Sequence, residues 1–141
     1  MSRRKGRILA FQGLYSWDVG GAKLEDVLQL SWAANEKTGE PVDEESGAFA
    51  RMLIAGTVEH HDEIDELIKT HLTSWDFERV NRVSIAVLRM SVYSLLYQRD
   101  IPATIIIDEA IDIAKEYGQD DAFKFINAVL DNIKKNLADR S

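Results

Sequence analysis

The sequence predicts an all-α fold of six or seven helices. Three observations predict it. Apolar residues recur at three- and four-residue spacing along most of the chain. Strand-type alternation is scarce. Only two prolines, Pro41 and Pro102, interrupt 141 residues, and both suit a loop or the first turn of a helix. That length suits a single domain, residues 1–141, with a core of its own.

The elements follow in order. Residues 3–17 form a first helix with Ile8, Phe11, Leu14 and Tyr15 on one side, and Gly20-Gly21 ends it. Leu24, Val27, Leu28 and Leu30 mark a short second helix. "NEKTGEPVDEE" is a loop, broken by Gly39 and Pro41, whose closing acids favour a helix start. A long third helix is expected from about Asp43 to Thr70, with Phe49, Met52, Leu53, Gly56, His60, Ile64, Leu67 and Ile68 on one broad stripe. "TSWDFERVNR" reads as a corner. "VSIAVLRMSVYSLLY" is apolar almost all round and belongs in the middle of a bundle. Pro102 opens the next helix, which runs through Ile107, Ala110, Ile111 and Ala114 to Tyr117, with Gly118 as its stop. Asp120 or Asp121 can cap the last helix, whose core stripe is Ile126, Val129, Leu130, Ile133 and Leu137.

Composition narrows the function. There is no cysteine, which removes disulfides, thiolate zinc sites and cysteine nucleophiles and fits a reducing cytoplasm. No stretch approaches the roughly 18 apolar residues of a membrane span. The basic start mimics an organellar presequence, being arginine-rich and acid-poor. The net charge is −7 with a pI near 4.9, so indiscriminate polyanion binding is disfavoured. Yet Arg3, Arg4, Lys5 and Arg7 crowd the first seven residues, and no acid precedes Asp18. Cations at a helix N-terminus oppose its dipole, at about 0.3–1 kcal/mol each. The cluster suits a docked polyanion better than it suits stability; its plain alternative is a solubilising run.

Catalytic and metal motifs are missing. "EHHDEIDE" holds His61 and Asp65 four residues apart, but no Glu-x-x-His or His-Glu-x-x-His pattern, and it reads as a solvated acidic face. There is no nucleophile elbow, phosphate-cradling loop or dinucleotide fingerprint. Asp108, Glu109, Asp112 and Glu116 spread over an amphipathic helix as its wet face, with Lys115 placed to pair with Asp112. In the last helix, Phe125 lies about 100° from the centre of the core stripe, and Lys124 is beside it. An aromatic there is at best half-buried. It is either a core-edge ring or a stacking platform for a base or a partner. Tyr15 could add stacking at the end of the first helix.

"RRKGR…AFQGLYSW", "VLRMSVYSLLYQRDIPATIIIDEAIDIAKEYG" and "DDAFKFINAVLD" together resemble the bacterial NusB family of transcription antitermination factors, nearly end to end. The resemblance implies two packed helical sub-bundles and no catalysis. It implies binding of the single-stranded boxA element of ribosomal RNA leaders, together with the small-subunit ribosomal protein NusE, in a complex that lets RNA polymerase ignore terminators. Its RNA contacts fall on Arg3, Arg4, Lys5, Arg7, Tyr15, Asp121, Lys124 and Phe125. Ser84 falls on the side facing NusE, where the family often carries an acid. Other departures are Ala122 for Ser, Ser94 for Glu and Ala128 for Gly. No cofactor or metal is implied. Two further possibilities stand beside this one: a structural adaptor whose acidic faces hold a basic protein, related to the RNA-binding domain of ribosomal RNA methyltransferases, and a homodimer that hides the RNA surface.

Overall fold

Asn81 starts the central helix: its Oδ1 accepts hydrogen bonds from the backbone N–H groups of Val83 (2.9 Å) and Ser84 (3.3 Å). The computed structural model describes residues 2–72 and 77–139. Among these are seven helices: α1 (Ser2–Val19), α2 (Leu24–Gln29), α3 (Glu44–Glu59), α4 (His61–Thr70), α5 (Arg82–Tyr97), α6 (Ala103–Tyr117) and α7 (Ala122–Asp139). Short 3-10 turns lie at Ser31–Ala33 and Phe77–Arg79. Helix α5 is buried on nearly every side, through Ile85, Ala86, Val87, Leu88, Met90 and Val92, as its lack of a polar face demands. Helices α1, α2 and α3 pack together on one side of it; α4, α6 and α7 gather on the other. Their inner faces share one apolar cluster.

Four expectations change. The long third helix divides at His60, which closes α3 and opens α4 with φ −106° and ψ 17°. No Gly or Pro marks the break. The His61 ring instead folds back so that its Nδ1 lies 2.7 Å from the Val58 carbonyl, and Asp62 and Glu63 supply the acidic first turn of α4. Met52, expected in the stripe, is exposed, while Ala50, Ile54 and Thr57 go inside. In α1 the buried face is shifted to Leu9, Ala10, Phe11 and Leu14, leaving Tyr15 exposed. Gly118 does end α6, but in an extended rather than a left-handed conformation. A Cβ there would come within 2.7 Å of the Ala114 carbonyl oxygen. Thr73–Asp76, within the expected corner, lie outside the described residues.

One buried ionic cluster fixes the far end of α1. Arg89 Nε and Nη2 donate to both carboxylate oxygens of Asp65 (2.8 and 2.9 Å), and Asp18 takes Arg82 (2.7 Å) and Arg89 (3.4 Å). Burial works against the Arg89 charge, but Asp65 and Asp18 more than compensate, and its pKa is raised. The last turn of α1 is thereby held beside the first turn of α5.

Candidate nucleic-acid interface

The four leading cations do four different things. Arg3 is exposed, with its guanidinium 5.9 Å from the Phe49 ring centre. Arg4 reaches α6, with Nη1 at 3.4 Å from Asp112 and Nη2 at 3.3 Å from Glu116. Lys5 donates to Asp43 (3.1 Å), the residue that caps α3. Backbone donation from Ser46, aided by Lys5, holds the Asp43 carboxyl at a pKa of about 2. Arg7 points the other way. Its side chain is 1% exposed, against its expected place among the surface cations.

Arg7 is drawn inside by an acid on another helix. It forms an ion pair with Glu109 of α6, donates from Nη1 to Ser94 Oγ (3.3 Å) and stacks 5.4 Å from the Phe49 ring centre. The Ser94 hydroxyl in turn donates to Gln98 Oε1 (2.5 Å). Burial lowers the Arg7 pKa, Glu109 opposes that, and Arg3 adds to it. Phosphate cannot reach this guanidinium without opening the core. Of the α6 acids, Asp108, Asp112 and Glu116 are exposed as expected; Glu109 alone is drawn in, to Arg7, and Lys115 lies over the Phe123 ring (4.9 Å) instead of pairing with Asp112. In the stretch expected to be a solvated acidic face, Asp65 is instead turned inward to Arg89, and His61 Nδ1 meets a backbone carbonyl.

A second feature lies at the start of α5 and α7. A groove of about 460 Å³ opens there. One wall comes from Arg79, Val80, Asn81 and Ser84; the other comes from Gln119, Asp121, Ala122 and Phe125. Phe125 is half-buried, as its off-stripe position requires. Lys124 is exposed and lies 3.6 Å from Asp121. Ser84, expected on the side facing NusE, is 3% exposed and lines the groove. One turn after its cap, α5 has already rotated it inward. Arg79 went unnoticed in the sequence. It sits in a one-turn 3-10 element with no periodicity, and only the folded chain brings it to Phe125.

The cations and the groove are separate features. The cations occupy the first two turns of α1 against α3 and α6. The groove adjoins the end to which α1 delivers Trp17 and Asp18. Tyr15, 37% exposed, lies on the same helix about 18 Å along its axis from Arg3.

The sequence profile of the NusB family matches residues 4–135. The chain belongs to the NusB family. Its relatives include the transcription antitermination protein NusB of Treponema denticola, 51% identical over 134 residues, 95% of this chain and 96% of that protein. Among solved structures it is similar to T. maritima NusB, with 36% identity, a TM-score of 0.81, and coverage of 94% of this chain and 90% of that one. It is also similar to a chain from the crystal structure of antitermination factors NusB and NusE in complex with dsRNA, with 28% identity, a TM-score of 0.79, and 96% and 97% coverage. In this chain the NusB fold carries an ion-paired basic helix start and a groove between the starts of α5 and α7.

Proposed function

We propose that this NusB-family protein is a transcription antitermination factor. It binds the boxA element of nascent ribosomal RNA with NusE and helps RNA polymerase pass terminators. It works by binding alone, without catalysis, in the cytoplasm. The observation that carries the reading is the groove in which half-buried Phe125 meets the start of α7, in a chain whose relative was crystallised with NusE and RNA. A half-buried aromatic near a helix start is a residue type suited to base stacking, and the helix dipole favours nearby phosphate. Arg3, Arg4, Lys5, Tyr15, Asp121, Lys124 and Phe125 are the proposed contacts; Arg7 supports them from inside. The acidic remainder of the surface suits a basic ribosomal protein.

A three-way binding assay with boxA RNA and NusE tests this. Each partner is expected to tighten the binding of the other. RNA affinity indistinguishable from that for an unrelated single strand, with and without NusE, would contradict it.

A further inference from the structure

We infer that Asp112 and Glu116 on α6 are a built-in stand-in for RNA phosphate: they hold the Arg4 guanidinium in the free protein, are displaced when a strand binds, and so set how tightly the protein takes RNA. This rests on the RNA-binding reading above and adds to it two residues that act through Arg4.

Three observations carry it. The first is geometric. Asp112 and Glu116 lie one turn apart on α6, and each takes a different terminal nitrogen of Arg4, at 3.4 and 3.3 Å. Anionic oxygens presented to both arms of a guanidinium are what a phosphate offers. The second is access. The side chains of Arg4, Asp112 and Glu116 are 41%, 57% and 53% exposed, and ion pairs in water contribute little to stability. Incoming phosphate can therefore take Arg4 without opening the core, which it cannot do at the buried Arg7–Glu109 pair. The third is that both acids are poorly placed for α6 itself. Like charges four residues apart on a helix repel, and Glu116 stands in the last turn, where an anion opposes the helix dipole. Lys115 turns to the Phe123 ring instead of relieving them; among the described residues, Arg4 is the cation that does. Transfer of Arg4 to phosphate restores that repulsion and leaves two carboxylates that draw counterions back. A strand held through Arg4 is therefore held less tightly than an unpaired arginine would hold it.

The test is salt-dependent binding of single-stranded boxA RNA to the full chain and to D112N/E116Q, R4Q, the triple variant and D108N. D112N/E116Q should tighten binding about threefold at about 0.1 M salt. Its salt slope should be steeper by about 0.7, because counterion release at one phosphate is no longer offset by return to the acids. R4Q should weaken binding, and in that background D112N/E116Q should bring no gain. Asp108 is exposed on the same helix, one turn before Asp112, so D108N changes charge nearby without touching the Arg4 pairs and should leave affinity near wild type. Thermal unfolding checks the fold; the acids are exposed, so Tm should move by about two degrees at most. Unchanged or weaker binding in D112N/E116Q, with wild-type binding intact, would overturn the stand-in and leave the pairs as a tie between α1 and α6. An equal gain in the R4Q background, or in D108N, would also overturn it and reduce the effect to overall charge. Failure of the wild-type chain to bind RNA at all would overturn the RNA-binding reading itself.

Discussion

Arg7 shows how a residue's type and its role separate. Its neighbours in sequence are cations, so charge pattern places it outside. Its determining partner is Glu109 on α6, 102 positions later, and no local pattern reveals it. Removing one member of a buried pair leaves the other charge stranded, at about 3–5 kcal/mol. Arg7→Ala should therefore lower the denaturation midpoint sharply, and any loss of RNA affinity should track unfolding. The double change Arg7→Met with Glu109→Leu should recover much of that stability, because it strands neither charge. A mild Arg7→Ala effect in urea unfolding would show that the pair contributes little. Asp43 supports a second expectation. Its carboxyl is held at about 2 by the Ser46 N–H and Lys5, below the roughly 3.9 of an unfolded aspartate. A lowered folded-state pKa gives stability that is present above the unfolded value and lost as pH falls toward 2. Carboxyl NMR should find that midpoint, and Lys5→Ala should raise it.

At the scale of elements, spacing was sufficient where a helix has one wet face. In the stripe read for α7, Ile126, Val129, Leu130 and Ile133 are buried, Leu137 near the end is half-buried, and Phe125 falls beside it, half-covered. Spacing failed where packing decides. The break at His60 comes from a side chain returning to its own backbone, with no Gly or Pro to announce it. The groove itself was illegible, because residues 79–84 and 119–125 meet only through the packing of α5 on α7. Helix α3 approaches α5 closely at Gly56, where a Cβ would overlap the Tyr93 ring. Alanine is the better helix former by about 1 kcal/mol. Even so, Gly56→Ala should destabilise, by about 1–3 kcal/mol, since overpacking outweighs propensity. A raised Tm in Gly56→Ala would show that the ring yields freely. Phe125→Ala should cost about 1–3 kcal/mol of RNA binding if a base stacks there, with Tm lowered by a few degrees because the ring also packs against the core.

Across the whole molecule, an acidic body carries a basic helix start, but part of that positive charge is committed. Arg4 and Lys5 neutralise Asp112, Glu116 and Asp43, and the pairs are solvent-exposed, so each contributes little to stability and can be exchanged for phosphate. Among the described residues no helix is long and apolar enough to cross a membrane. A homodimer covering the groove would compete with RNA. Light scattering should show mass per particle falling to that of one chain with RNA when boxA is added.

The central claim is that a single strand lies along α1 and enters the groove at Phe125. Its most direct test is the affinity of wild type and Phe125→Ala for boxA RNA across a series of salt concentrations. Two to four phosphate contacts at about −0.7 each should give a log–log slope between about −1.4 and −2.8. Phe125→Ala should shift the line to weaker binding without changing its slope. A slope near zero, or superimposed lines for the two proteins, would contradict it.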